Sequence, residues 1–138
     1  MAGRVVLVES DEQLRTNIVK ALRARGVGVD AFALPSDMLR ALERGAVWTR
    51  GLFALDLEGT DGATLAATTL AHLPEIDVIF LTGSAEASVL CRAHALGAVI
   101  WKPVGLGLLC ERLTAPARRS GVVRKVRDVP AKRRVGEG

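Results

Sequence analysis

Residues 53–64 read FALDLEGTDGAT. An apolar run, Phe53 to Leu55, stops at the carboxylate Asp56, and the chain then turns polar and glycine-rich. The run belongs to GLFAL (51–55), whose nearly unbroken hydrophobicity suits a strand buried on both faces. An acid at the end of such a strand either opens a loop or is held there for chemistry. The rest of the chain decides between the two.

Four further apolar runs flank it: RVVLV (4–8), VGVDAF (27–32), DVIFL (77–81) and AVIW (98–101). The second alternates and suits a more exposed edge. Helical patterns fill the gaps. Residues 11–25 stripe Leu14, Ile18, Ala21 and Leu22, with Gly26 as a stop, and Ser10 to Gln13 has the spacing of a capping box. Residues 36–44 turn Leu39 and Leu42 inward, 61–72 use Leu65, Thr69 and Leu70, and 85–96 use Val89, Leu90, Ala93 and Leu96. Residues 105–114 use Leu108, Leu109 and Leu113. Alternation of strand and helix implies right-handed crossovers and a doubly wound α/β sheet. Ligands of such sheets bind beyond the carboxyl ends of the strands.

The chain has 138 residues, enough for one ordinary domain, and 49% are apolar against 4% aromatic. The core is therefore expected to be mostly Ala, Val and Leu. No apolar stretch approaches the about 18 residues of a spanning helix, and the N-terminus lacks a signal-peptide pattern. A cytoplasmic protein without an integral membrane segment is expected. Cys91 and Cys110 have no metal-ligand spacing and read as core thiols; His72 and His94 read as packing or surface residues, and Trp48 as a cover for the core edge. The net charge of +4 is unevenly spread. Residues 117–138 carry eight Lys/Arg against two acids, a balance of +6, whereas residues 1–116 carry eleven against thirteen, a balance of −2. A domain over 1–116 followed by a basic tail without fixed structure is expected, the tail suited to an acidic protein, nucleic acid or a membrane surface.

The residues just past each strong strand are Glu9-Ser10-Asp11, Asp56-Leu57-Glu58, Thr82-Gly83 and Lys102-Pro103. With VVLVESDEQLR, ALDLEGTDG, IFLTGS and GAVIWKP in this order, residues 4 to about 114 resemble the receiver domains of bacterial two-component response regulators. The resemblance implies a flavodoxin-like five-stranded parallel sheet of order 2-1-3-4-5 flanked by five helices. It implies Asp56 as phosphoacceptor, with Lys102 and Thr82 stabilising the phosphoryl oxygens. It implies Mg²⁺ held by Glu9, Asp56 and the carbonyl of Glu58, whose carboxylate is a further donor. Asp11 is either an accessory acid or a helix-start acid favoured by the helix dipole. A histidine kinase or phosphotransfer protein is the implied partner upstream, a protein docked on the 85–114 surface the partner downstream. Lys102-Pro103 falls on a bond the family often holds in cis.

Three departures stand out. Ser10 replaces the second acid of the cluster, forfeiting roughly 4–8 kcal/mol of raw attraction to a divalent ion at an effective dielectric near 20; Ser10 also suits an N-cap. The path from Asp56 to Gly62 takes six residues, shorter than is usual in the family and without its proline. GAVIWKP is also short, so Val99 falls where an aromatic normally swings inward after phosphorylation, while Trp101 points to the other side of its strand. Two readings remain: a single-domain phosphorelay receiver with a weakened Mg²⁺ site, and a degenerate pseudo-receiver that binds partners without phosphorylation. Neither is an enzyme in its own right. A flavin- or nucleotide-using enzyme on this sheet needs a glycine- or hydroxyl-rich phosphate loop after the first strand, and ESDEQLR is acidic instead.

Overall fold

Val5, Val6, Leu7 and Val8 are all buried, because their strand is covered by helices on both sides. The computed structural model describes residues 3–116. The basic tail of 117–138, and the expectation that it lacks fixed structure, lie outside the described residues. Strands and helices alternate: β1 (Val5–Val8), α1 (Glu12–Ala24), β2 (Val29–Phe32), α2 (Pro35–Glu43), β3 (Arg50–Ala54), α3 (Gly62–His72), β4 (Asp77–Thr82), α4 (Ala87–Leu96), β5 (Ala98–Trp101) and α5 (Leu106–Thr114). All strand pairings are parallel, in the order β2-β1-β3-β4-β5, as the resemblance implies.

Successive side chains of a strand face opposite sides of the sheet, so each buried strand feeds two cores. On one side Val5, Leu7, Leu52, Ile79 and Leu81 pack against Ile18 and Leu22 of α1 and Leu109, Cys110 and Leu113 of α5. On the other, Val6, Val8, Phe53 and Phe80 meet Met38 and Leu42 of α2, Leu65 and Ala66 of α3 and Ala93 of α4. The Phe53 and Phe80 rings pack at 6.4 Å and supply the aromatic centre of that side. Trp48 is buried in the same cluster, with its indole N–H donated to Asp30 at 2.9 Å.

Three expectations are corrected. The N-cap of α1 is Asp11, not Ser10: Asp11 has extended backbone and its carboxylate accepts the Leu14 amide at 3.0 Å, leaving Ser10 one residue outside the helix. Leu108 faces solvent, because the buried stripe of α5 runs through Leu109, Cys110 and Leu113. Cys110 is a core thiol, but Cys91 lies on the exposed side of α4.

Candidate functional site

Parallel strands deliver their carboxyl ends to one edge, and there the four sequence clusters gather. Glu9 comes directly after β1 and is only 2% exposed. Its Oε2 accepts the Asp11 amide at 3.0 Å, and its Oε1 lies 3.2 Å from Lys102 Nζ. That ion pair is off the direction of a hydrogen bond, so Oε1 is a buried acceptor without a hydrogen-bond partner. Arg15, one turn into α1, donates to the Glu9 carbonyl at 2.8 Å and fixes the loop.

Lys102 is placed by the last rung of the sheet, its amide donating to the Thr82 carbonyl at 2.7 Å, and the Lys102-Pro103 bond is cis. Thr82 ends β4, buried, with its hydroxyl donated to the Ser84 carbonyl at 2.9 Å. Asp56 stands two residues past β3 and is exposed. Asp56, Thr82 and Lys102 line one small cavity of about 160 Å³ with Ala54, Leu81, Gly83 and Ser84. The structure thus brings together the nucleophile, hydroxyl and lysine expected from the sequence, with Glu9 joined through Lys102.

Other expected residues stand apart from that cavity. Ser10 and Glu58 are exposed and do not line it. Asp11 serves as the N-cap already described. Val99 lies in β5 opposite Phe80 and packs, partly buried, against the core. Ser84 was not singled out from sequence, nor was Asp61. The carboxylate of Asp61 caps α3 by accepting the Thr64 amide at 2.8 Å and also accepts Arg92 of α4 at 2.8 Å. Burial pushes the Asp61 carboxyl up, but the hydrogen bonds from Arg92 and Thr64 outweigh it and hold the group below the usual carboxylate range. Asp-Gly before a helical run is a capping signal, so half of this was legible; Arg92, 31 residues away, was not.

The loop from Asp56 to Asp61 is closed by a single antiparallel bridge between those two residues. Gly59 takes φ 87° at its tip, a conformation side chains disfavour. The Gly62 amide donates to the Leu55 carbonyl at 3.0 Å, and a Cβ at Gly62 would run into the Ala54 carbonyl.

No family model and no curated protein matches the chain. Solved structures do. A CheY-like response regulator receiver domain protein from Methanospirillum hungatei superposes with a TM-score of 0.75 at 23% identity, over 82% of this chain and 91% of that one. The signal receiver domain of an HD domain-containing protein from Pseudomonas fluorescens gives 0.73 at 22%, over 83% and 94%. A two-component response regulator from Clostridium difficile gives 0.72 at 16%, over 81% and 93%. The fold is that of response-regulator receiver domains.

Mg²⁺ takes oxygen ligands, commonly one or two carboxylates and several waters. Among the described residues no three of His, Cys, Asp and Glu gather to hold a metal by themselves. Glu9 and Asp56 carry carboxylates, the donor type such an ion takes, but Glu9 Oε1 is paired with Lys102 and Glu9 does not line the cavity beside Asp56. No helix among the described residues is long and apolar enough to cross a membrane.

Proposed function

We propose that the chain is a receiver of phosphorelay signalling, with Asp56 accepting a phosphoryl group from a phosphohistidine of a histidine kinase or phosphotransfer protein. The observation that carries this is the shared cavity of Asp56, Thr82 and Lys102, a nucleophile facing a hydroxyl donor and a cation. An Asp56 carboxylate oxygen attacks phosphorus, the donor's P–N bond breaks with its electron pair returning to the imidazole, and Asp56 becomes an acyl phosphate. The reaction concentrates negative charge on the phosphoryl oxygens, which the Lys102 ammonium neutralises and the Thr82 hydroxyl meets once it leaves the Ser84 carbonyl. Glu9, Asp56 and the Glu58 carbonyl would hold Mg²⁺, which would supply further positive charge. The chain then acts as a signalling component rather than a turnover enzyme, with output through a protein docked on the 85–114 surface. Trp101, 48% exposed, and Leu108, 66% exposed, are apolar contacts offered there. The basic tail of 117–138 suits an acidic partner.

A second reading, an interaction module that needs no phosphorylation, is favoured by Ser10 in place of an acid and by Val99, which packs where an aromatic would swing. Incubation with acetyl phosphate and Mg²⁺, followed by intact-mass measurement, separates the two. The expected result is slow, partial addition of one phosphoryl group, abolished in Asp56→Asn. Absence of any addition, in wild type and in Ser10→Asp alike, would establish the second reading.

A further inference from the structure

The β3–α3 loop is short, and it lacks the proline that stiffens this segment in the family it resembles. Something else must fix the direction of Asp56. Asp56 is bridged to Asp61 through the backbone, and Asp61 is gripped from α4. Arg92 Nη2 donates to Asp61 Oδ2 at 2.8 Å, while Arg92 Nη1 donates to the Thr64 hydroxyl at 3.1 Å. The Thr64 hydroxyl in turn donates to Asp61 Oδ2 at 3.2 Å, and Asp61 Oδ1 accepts the Thr64 amide. One planar guanidinium therefore holds both polar groups of the first turn of α3, a two-point grip that a lysine cannot reproduce. Among the described residues this is the ion pair that ties α4 to another element. Beside Asp56, a cavity of about 460 Å³ is lined by Asp61 on the loop side and by Glu86 and Val89 on the α4 side. Arg92, on α4, is paired with Asp61 on the loop side.

We propose that Arg92 is a positioning residue for Asp56: through Asp61 it latches the shortened loop to α4 and so holds the nucleophile in its attacking direction. The proposal rests on Asp56 being the phosphoacceptor. It differs from a field effect in a testable way. Removing Arg92 takes a positive charge from the site, whereas removing the Asp61 charge does the reverse, and a field would move the rate toward an anionic donor in opposite directions. Loss of the latch slows both.

The test uses the full chain in wild-type, Arg92→Ala, Arg92→Lys and Asp61→Asn forms, Asn being a competent N-cap. Amide exchange is read first, without donor. In Arg92→Ala and Asp61→Asn the Gly62 amide should lose protection while β1 and β4 keep theirs. The rate of Asp56 modification by acetyl phosphate with Mg²⁺ should fall about two- to fivefold in both, the scale of a partly exposed ion pair. Arg92→Lys should recover part of the rate. Unchanged protection at Gly62 in Arg92→Ala overturns the latch whatever the chemistry does. Rates that move in opposite directions in the two variants overturn it in favour of a field, and unchanged rates overturn the positioning role. A wild type that takes no phosphoryl group, with Gly62 loosened in both variants, overturns the phosphoacceptor reading itself and leaves Arg92 with no role in transfer.

Discussion

Glu9 is buried with its carboxylate paired to Lys102, and its free energy depends on that partner. A buried carboxylate is costly unless paired, and removing one partner of such a pair costs more than the pair contributes. Lys102→Met should therefore destabilise the fold by about 1–3 kcal/mol in denaturant unfolding, less than for a fully buried pair because Lys102 is partly in water. Adding Glu9→Gln to it should recover most of the loss; no recovery would mean that Lys102 acts through its packing. Ser10 sits next to Glu9 without a carboxylate. Ser10→Asp should tighten Mg²⁺ binding about five- to tenfold, read by calorimetric titration, since solvent screens most of the added attraction. Equal affinity in the two forms would place the ion elsewhere. Asp61 adds a pH dependence. Its folded pKa lies below the unfolded value near 3.9, so its contribution to stability is full above that value and is lost as pH falls through the folded one. The stability gap between wild type and Asp61→Asn should accordingly be largest near neutral pH and close below about pH 4.

The β3–α3 connection illustrates what elements owe to single residues. Gly62 lets the chain leave β3, pass close over the Ala54 carbonyl and enter α3 at once. Gly62→Ala should cost about 2–3 kcal/mol, because the obstacle is backbone and cannot rotate away; a loss below about 0.5 kcal/mol would show that the loop shifts freely. β1, β3 and β4 were legible because burial on both faces writes them as nearly unbroken apolar runs, β2 and β5 read as partly exposed edge runs, and each strand lies within two residues of its expected place. β2 starts at Val29 rather than Val27, because the Val27 amide closes the end of α1 on Leu22. α4 starts at Ala87 because residues 83–86 form the loop that accepts the Thr82 hydroxyl. Helical faces were harder to read. Cys91 and Leu108 lie on the helices before and after the edge strand β5, and among the described residues their outer sides are exposed, so an apolar residue there need not be inside.

At the scale of the molecule, parallel order alone carries Glu9, Asp56, Thr82 and Lys102 to one edge, so the site's membership could be read from the residues just past each apolar run. Its internal pairings could not. Glu9 with Lys102, and Asp61 with Arg92, join residues distant in sequence, and no local spacing encodes them. The same geometry separates acceptance from response. Asp56, Thr82 and Lys102 line one cavity, while Val99 packs, partly buried, against the core and α4 is tied to the start of α3. Modification of Asp56 should thus leave amide chemical shifts over 85–104 little changed; large shifts there would show that another residue does the work of the missing aromatic.

Acceptance at Asp56 is tested most directly by trapping the acyl phosphate. After treatment with acetyl phosphate and Mg²⁺, borohydride reduces an aspartyl phosphate to homoserine with release of phosphate, and peptide mass analysis locates the changed residue. Homoserine at position 56, in a fraction of the molecules and absent from Asp56→Asn, is the expected result. No reduced residue, or one at Glu9, Asp11 or Asp61 instead, would contradict it.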